Sequence, residues 1–428
     1  MRIRVVKTTE PAFKSLLARI LRRRGSREGD VERRVSEIVS AVQRQGDRAL
    51  LRYTRLFDRI RLTRSTLEVT QREIERAVAK VPKQDLDTLR LAAKRIAAFH
   101  RRQLQKSWQY RDPLGMVLGQ RITPLERVGV YVPAGKASYP STVLMNVVPA
   151  KVAGVKEVIM TSPLGNDGTI ILAAAQIAGV DRIFRVGGAQ AIAALAFGTS
   201  TIPKVDKIVG PGNIFVATAK RLVFGEVNID SIAGPSEILL LADDSADFNY
   251  VAADMLSQAE HDELAAALCV TPSITMAAKI QKAVEKQLEG TKRRAITVRA
   301  LQKYGAIIVA RGLNEAIEIA NAIAPEHIEL IVKQPEKWAR EIRNAGAIFV
   351  GPYSAPPLGD YIAGPNHVLP TGGSARFFSP LGTYDFLKRT TIIRAEKRAL
   401  RVLAPEITRL ARLEGLDGHA RAVEARFQ

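Results

Sequence analysis

The sequence predicts an α/β protein in which two parallel-sheet domains follow one another, with helical segments at the N-terminus and the C-terminus. From Pro124 onward, short β-branched runs alternate with Ala-rich amphipathic stretches. This alternation is typical of βαβ units whose sheet is covered by helices on both faces. A second series of the same kind starts at Glu237. The length of 428 residues also exceeds one ordinary hydrophobic core and favours several domains.

The segment before the first sheet, residues 1–120, is predicted to be helical and to pack on the α/β body. Apolar and charged positions alternate there at helical spacing, as in Val31–Val39 and Leu86–Ala93. This segment shows no pattern of chemically active residues. His100 lies in it without a polar companion at ligand spacing, so we interpret it as structural or exposed.

The two predicted sheet domains span residues 121–236 and 237–378. In the first domain, the predicted strands are Val128–Val132, Glu157–Met160, Arg182–Val186 and Lys207–Val209. In the second, they are Glu237–Leu241, Ala306–Val309, Ile328–Val332 and Ala347–Val350. Residues 379–428 return to helical spacing and are predicted to form a C-terminal helical tail.

The charge balance admits a nucleic-acid partner but does not favour one. The chain carries 64 Lys and Arg against 43 Asp and Glu, a net charge of +21. The basic residues form short groups among acids, as solvated helix faces do; examples are Arg22–Arg24, Arg101–Arg102 and Lys292–Arg294. No RNP, zinc-finger or basic-zipper pattern is present. A nucleic-acid-binding protein therefore stays the remote alternative.

The only cysteine, Cys269, lies in an apolar run, which excludes an intrachain disulfide and a zinc site built from cysteines. Any metal therefore needs His, carboxylate or amide ligands. No stretch approaches the ~20 apolar residues of a membrane span. The charged start, Met1–Arg4, does not lead into an apolar signal core. We expect a cytoplasmic protein without a membrane partner.

Glycine-containing turns follow several strands of the first domain. They are Val132–Gly135, Val186–Gln190 and Val209–Asn213. Ligands of open α/β sheets bind at the carboxyl ends of strands, where glycine lets the backbone approach a phosphate. The dinucleotide fingerprint G-x-G-x-x-G is not met, because Phe215 stands at its sixth position. The spacing alone supports a structural role and a cofactor role equally.

Polar residues of the second domain are candidates for metal binding and proton transfer. Gln258 and His261 stand one helical turn apart, so their side chains could converge on one zinc ion. A hydrogen-bonded histidine at a helix end is the alternative. Glu326 and His327 lie at the mouth of a predicted strand and could move protons near neutral pH. Adjacent strand residues face opposite ways, so both can serve one substrate only if the backbone bends, which Pro325 makes credible.

These residues belong to long motifs that resemble the histidinol dehydrogenase family. The resemblance runs from about Pro124 to the C-terminus. Its motifs are Glu126–Tyr131, Val186–Ala196, Val209–Asn213, Ala233–Glu237, Ser257–His261, Pro325–His327 and Gly364–Thr371. So many blocks in order exclude coincidence.

The resemblance implies two incomplete Rossmann-like domains and a zinc-dependent oxidation of L-histidinol to L-histidine, the last step of histidine biosynthesis. Two NAD would each accept a hydride, with histidinaldehyde held between the two transfers. His327 would accept the proton of the alcohol, and Glu326 would activate the water that attacks the aldehyde. A related zinc and NAD dehydrogenase that acts on another polar alcohol is the alternative.

The family's binding residues carry over to positions of this sequence. One zinc per subunit would be bound by Gln258, His261, Asp360 and His419. The substrate would contact Ser236, Gln258, His261, His327, Asp360, Glu414 and His419, and the cofactor would contact Tyr131, Gln190 and Asn213. The resemblance also implies a homodimer in which the C-terminal tail reaches the partner's active site. His367 stays outside the ligand set, and we expect it to order its loop.

Overall fold

The computed structural model describes residues 1–21, 28–133, 138–164, 168–232 and 234–428. The basic group Arg22–Arg24, Ala134 and Gly135 of the first glycine turn, and Ala233 lie outside the described residues. Before the first sheet, the elements are β1 (Val5–Lys7), α1 (Pro11–Leu21), α2 (Glu28–Gln45), α3 (Asp47–Phe57), α4 (Arg64–Leu67), α5 (Gln71–Val78) and α6 (Lys83–Arg101). The segment is thus mainly helical, as its spacing predicts, although β1 is a strand.

A small antiparallel sheet joins the N-terminal segment to the C-terminal part of the chain. Its strands are β2 (Trp108–Arg111) and β3 (Val117–Pro124) from the first part, and a late strand, Leu387–Arg394, which pairs with β3 along its whole length. This sheet was not predicted from the sequence. Its two outer strands are largely exposed, so they lack the apolar alternation that indicates a half-buried strand.

The first parallel sheet has five strands and forms the body of the predicted first domain. Its elements are β4 (Arg127–Tyr131), α7 (Pro140–Ala153), β5 (Glu157–Thr161), α8 (Gly168–Ala178), β6 (Arg182–Phe184), α9 (Gly188–Phe197), β7 (Lys207–Val209), α10 (Ile214–Val223) and β8 (Asn228–Ile229). The strand order is β6-β5-β4-β7-β8. The chain therefore reverses its direction of winding between β4 and β7, where open α/β sheets bind their ligands.

The second parallel sheet has six strands. Its elements are β9 (Glu237–Ala242), α11 (Phe248–Ala259), β10 (Ala266–Thr271), α12 (Ile274–Leu288), α13 (Arg294–Tyr304), β11 (Ala306–Val309), α14 (Leu313–Ile323), β12 (His327–Ile331), α15 (Pro335–Ala339) and β13 (Ala347–Val350). The order is β1-β11-β10-β9-β12-β13, so the N-terminal strand extends this sheet rather than the nearer one in sequence. Buried apolar side chains cover both faces of each parallel sheet, which confirms the predicted α/β class.

The remaining elements are α16 (Pro356–Tyr361), two short 3-10 turns (Ser374–Arg376 and Thr383–Phe386), β14 (Leu387–Arg394), α17 (Lys397–Leu413) and α18 (Asp417–Glu424). The last two helices form the predicted helical tail, although β14 precedes them. Among the described helices, none has the combination of length and apolar character needed to cross a bilayer.

The N-terminal segment is fixed to the first sheet at the start of α5. The hydroxyl of Thr70 accepts a hydrogen bond from the backbone N–H of Glu73, whose carboxylate accepts one from the backbone N–H of Thr70. The same carboxylate pairs with Arg185, which follows β6. The Arg185 guanidinium and the backbone bond from Thr70 lower the pKa of Glu73 to about 2. The Glu73 side chain thus both caps α5 and forms the ion pair that joins the N-terminal segment to the first sheet.

We predict that Glu73→Gln lowers stability at neutral pH by less than about 1 kcal/mol, because glutamine keeps the cap but loses a partly exposed ion pair. Since the folded-state pKa lies below the ordinary value, this contribution is complete above pH ~4.5 and disappears as the pH falls through ~2. Urea unfolding of both proteins at several pH values measures the difference. Glu75→Gln on the same helix is the control, and a difference independent of pH would contradict the assignment.

Candidate active site

The first part of the site is the carboxyl edge of the first sheet, at the point where the winding reverses. Tyr131 ends β4 and is buried, which raises the pKa of its hydroxyl to about 12. Its hydroxyl oxygen accepts a hydrogen bond of 3.1 Å from the backbone N–H of Gly188, at the start of α9. Gly210, after β7, has φ +112°, and a Cβ there would overlap the carbonyl oxygen of Tyr131. The two strand ends therefore lie against each other.

Two amide side chains border this edge. Gln190 lies in the first turn of α9 and is buried, and neither its amide nitrogen nor its amide oxygen has a hydrogen-bond partner among the described residues. A buried amide without partners indicates a site that a ligand or water completes. Asn213 caps α10 through its side-chain oxygen, which accepts hydrogen bonds from Phe215 and Val216, so Nδ2 is the group that can serve a ligand.

The second part of the site lies at the amino edge of the second sheet. His327 is the first residue of β12, and Ser236 directly precedes β9. Because α11 connects two parallel strands, it runs opposite to them and brings its C-terminal end, with Gln258, to this same edge. The two edges are close along the chain. At the first edge, Asp230 accepts a hydrogen bond from the N–H of Gly210. Ser236, at the second edge, follows Asp230 by six residues, which span at most about 20 Å.

Glu326 and His327 meet over the backbone of Glu237. The carboxylate of Glu326 accepts a hydrogen bond of 2.9 Å from the N–H of Glu237, and Nδ1 of His327 donates to the carbonyl of the same residue at 3.2 Å. Nδ1 lies 3.6 Å from the Glu326 carboxylate. The bend that this requires is present, because Ala324 ends α14 with φ +52° immediately before Pro325. The predicted bend is confirmed.

The surroundings of this pair change both pKa values. Burial raises the pKa of Glu326 to about 7, although His327 opposes the shift. Burial alone would lower the pKa of His327, but the carboxylates of Glu326 and Asp360 outweigh it and raise the pKa to about 9. Nε2 of His327 has no hydrogen-bond partner among the described residues and lies 3.6 Å from Asp360 Oδ1. Both pKa values lie within about two units of neutral pH, the range in which a side chain can accept or give up a proton during catalysis.

Three of the four predicted zinc ligands lie at this edge. Gln258 is buried, and its amide nitrogen has no partner within the described chain. His261 lies two residues beyond the end of α11, not on the helix as its spacing predicts, but its N–H bonds the Gln258 carbonyl, so the one-turn spacing persists. Burial lowers the pKa of His261, while the nearby Asp360 carboxylate raises it. The carbonyl of Asp360 also accepts a hydrogen bond from His367 Nδ1 at 3.0 Å.

The three predicted zinc ligands at this edge, Gln258, His261 and Asp360, offer one amide, one imidazole and one carboxylate. No group of three or more His, Cys, Asp or Glu side chains that could hold a metal ion occurs among the described residues. A complete site would therefore need a donor from elsewhere, in addition to Gln258.

Comparison with known proteins decides the family. The histidinol dehydrogenase family model matches residues 21–427. The chain belongs to the histidinol dehydrogenase family. It is 53% identical over 428 residues to the histidinol dehydrogenase of Syntrophotalea carbinolica, covering 100% of this chain and 99% of that protein. The corresponding Aquifex aeolicus protein is 53% identical over 399 residues, 93% of each chain.

A solved structure agrees with this membership. The crystal structure of histidinol dehydrogenase from Elizabethkingia anophelis superposes with a TM-score of 0.93 at 34% identity, covering 99% of this chain and 98% of that one. The chain is thus an enzyme, an oxidoreductase of the histidinol dehydrogenase family, and the family membership favours this reading over the nucleic-acid-binding alternative.

Two residues predicted from the family lie apart from the site. Glu414 directly follows α17 and His419 lies on α18, and both are exposed. None of the hydrogen bonds and ion pairs of the described residues connects either side chain to His261 or Asp360. The single chain therefore brings together Gln258, His261, Asp360, Glu326 and His327, with Ser236 beside them, but not the two residues of the tail.

A buried ion pair that sequence reasoning missed holds the Gly210 turn. Lys220 on α10 donates to the carbonyl of Gly210 at 3.0 Å and pairs with Asp230, and Asp230 accepts from the N–H of Gly210 at 2.8 Å. Both side chains are almost fully buried. Lys220 and Asp230 are ten residues apart and are not part of a recognised motif. The one feature of the sequence that pointed to the pair is a lysine on an otherwise apolar helix face, since a buried lysine needs a partner.

We predict that Lys220→Met destabilises the protein by about 3–5 kcal/mol, because Asp230 then stays buried without a cation. Urea unfolding at neutral pH measures the loss. The control is Lys204→Met, which breaks the exposed ion pair with Glu226 and should cost less than about 1 kcal/mol. Equal losses in the two variants would contradict a special role for the buried pair.

Proposed function

We propose that this enzyme oxidises L-histidinol to L-histidine in the cytoplasm, the last step of histidine biosynthesis, with zinc and two NAD per substrate and histidinaldehyde held between the two oxidations. The observation that carries the proposal is the position of His327 between Glu326 and Asp360, at the edge where α11 ends with Gln258 and His261 follows it. An imidazole base, the carboxyl groups of Glu326 and Asp360, and further oxygen and nitrogen ligands lie together. These are the groups that oxidation of a polar amino alcohol requires. The names of the relatives support the substrate.

The donor set fits zinc. Imidazole, carboxylate and amide groups suit this ion when thiolates are absent, and a set from several elements suits a site that also binds substrate. Gln258 would bind through its amide oxygen, and its buried amide nitrogen, which has no partner among the described residues, supports a site that a ligand completes. Gln258, His261 and Asp360 would hold the ion together with His419. Zinc, when bound, supplies a Lewis acid that grips and orients the substrate.

The carboxyl edge of the first sheet fits NAD. It offers the N-termini of α9 and α10, a turn with glycine at positions 210 and 212, and the unpartnered amide of Gln190. Helix N-termini favour anionic phosphates. Tyr131, Gln190 and Asn213 would contact the cofactor, and this use would give the turns a cofactor role although the fingerprint is absent. NAD, when bound, accepts the hydride of each oxidation.

Proton transfer in this proposal belongs to Glu326 and His327. The backbone of Glu237 fixes Nδ1 of His327 as a donor, so in the neutral imidazole Nε2 is the nitrogen that accepts the proton of the alcohol as its hydride leaves. Glu326 then takes a proton from a water molecule, whose oxygen attacks the aldehyde. His327 returns its proton to the aldehyde oxygen as the hydrate forms, and it then accepts a proton of the hydrate during the second oxidation. Burial of the pair excludes bulk water from the reactive aldehyde.

We further infer a homodimer in which the tail of each chain completes the partner's site. Glu414 and His419 are exposed in the single chain, and so are apolar residues of the same tail, namely Val402, Leu410, Leu413 and Leu416. Exposed apolar side chains on one helix pair are typical of an interface. A tail from a second chain would bring the fourth metal donor.

The direct test is to count NADH formed per L-histidinol consumed, before chelation, after chelation and after zinc is restored. We expect two NADH per substrate, loss of activity on chelation and recovery with zinc. No NADH from histidinol by the zinc-loaded protein, together with activity on another polar alcohol, would favour the related dehydrogenase instead.

We predict that Glu326→Gln slows oxidation of added histidinaldehyde about 100-fold and affects the first oxidation less, because only the second needs an activated water. His327→Asn is the matched comparison. It should slow both hydride transfers about 100-fold while metal analysis still finds zinc in the protein. Single-turnover NADH formation from each substrate separates the steps. Equal effects of Glu326→Gln on both oxidations would contradict the division of roles.

A further inference from the structure

A cavity of about 660 Å³ lies between the first residues of the chain, α1 and α13, at the edge of the second sheet where β1 pairs with β11. Three arginines line it, namely Arg2, Arg4 and Arg19. The described residues that line it include none of those assigned above to zinc, substrate or cofactor. Its volume is in the range of pockets that hold small organic molecules, about 300 to 1,000 Å³. The cavity is therefore a candidate for a second binding site.

Strand alternation directs two of the arginines to this cavity. Ile3 and Val5 pack in the core on the α11 side of the second sheet, whereas Val6 belongs to the core on the opposite side, which α1 covers. Arg2 and Arg4 occupy the same alternate positions as Val6, so all three lie on the side of α1.

Helical spacing directs the third arginine to the same place. The residues of α1 that line the cavity are Ala12, Ser15, Leu16 and Arg19. They stand at helical positions i, i+3, i+4 and i+7 and therefore form one face of the helix. Leu16 is buried against the sheet, and Arg19 follows it by about one turn. Two independent periodicities, one of a strand and one of a helix, thus bring three guanidinium groups to one cavity.

No carboxylate among the described residues neutralises these guanidinium groups. Nε of Arg2 donates to the side-chain oxygen of Gln281 at 3.1 Å, and Arg4 donates to the backbone carbonyl of Gln302. Both partners are uncharged. None of the ion pairs of the described residues includes Arg2, Arg4 or Arg19, and none of the described lining residues is acidic. Burial and the charge of Arg19 lower the pKa of Arg4, because both disfavour its protonated form. An anion between the guanidinium groups would remove this repulsion.

The cavity also has an apolar part. Val6, Leu16 and Leu301 line it with side chains that are otherwise buried. Inorganic phosphate alone would leave this part and most of the volume unused. Arginine binds phosphate oxygens with two parallel hydrogen bonds and also stacks on planar rings. The ligand chemistry that fits both parts of the cavity is a phosphate group on a planar, largely apolar body.

We propose that this cavity is a binding site for a phosphate-bearing small molecule of about the size of a nucleotide. Arg2, Arg4 and Arg19 bind its phosphate group, and the apolar part of the cavity receives its body. Because the ligand contacts both α1 and β1, its binding also fixes the helix against the sheet. The inference goes beyond the proposed oxidation and does not depend on it.

The test is calorimetric titration of the full-length enzyme with AMP at physiological salt. NAD is present in excess, so that AMP does not enter the proposed cofactor site. Inorganic phosphate and adenosine are the probes that each carry one half of the ligand. The variant is Arg19→Gln, and the control is Arg48→Gln, which removes an equal charge at an exposed position of α3, a helix that packs on the first sheet. Hydrogen exchange of residues 11–21 locates the bound AMP.

We expect AMP to bind the wild type and Arg48→Gln equally, and to bind Arg19→Gln about tenfold or more weakly, the usual loss for one hydrogen bond to a charged group. Inorganic phosphate and adenosine should each bind the wild type at least about tenfold more weakly than AMP, because each lacks one set of contacts. Bound AMP should slow hydrogen exchange in α1. Without AMP, the three proteins should unfold at the same temperature, because Arg19 and Arg48 are both exposed.

Three results would overturn the inference. The first is a wild type that does not bind AMP, or binds it without slower exchange in α1. The second is an equal loss of affinity in Arg19→Gln and Arg48→Gln, since AMP would then respond only to the net charge of +21. The third is inorganic phosphate or adenosine that binds as tightly as AMP. The proposed function is tested separately, because a wild type that binds AMP as expected but does not oxidise histidinol would overturn that function alone.

Discussion

The parallel pairing of β12 with β9 is the contact on which the candidate active site depends. It sets His327 opposite Ile238 and brings the backbone of Glu237 between Glu326 and His327, where its N–H bonds one side chain and its carbonyl the other. A shift of the register by one residue would turn His327 to the opposite face of the sheet. The orientation of the pair thus follows from strand pairing and needs no further side chain.

The two parallel sheets contribute opposite edges, and this explains why the chain uses two of them. The carboxyl edge of the first sheet presents backbone N–H groups, helix N-termini and a glycine turn, which suit an anionic cofactor. The amino edge of the second sheet receives the C-terminal end of α11 and the start of β12, and so gathers side chains. Only a few residues separate Asp230 at the first edge from Ser236 at the second. A hydride donor and a hydride acceptor can therefore meet between the two edges.

Features with a local sequence pattern were predictable, and features made by distant residues were not. Alternating strands and helices indicated both parallel sheets, and Gln258 with His261, or Glu326 with His327, are each neighbours in the sequence. The pairing of β1 with β11 joins residues about 300 positions apart, and no periodicity records it. The Lys220–Asp230 pair carries no motif either. The family resemblance supplied Asp360, which the structure brings to His327.

The buried ionisable pairs around the two edges share one arrangement. Lys220 and Asp230 hold the turn after β7, and Glu326 and His327 meet at the start of β12. Each pair connects elements or turns that apolar packing alone would hold less sharply. Since buried charges cost desolvation free energy that packing must offset, their concentration at the two edges indicates that the fold gives up stability there in exchange for fixed geometry. The large apolar cores on both faces of the sheets supply that stability.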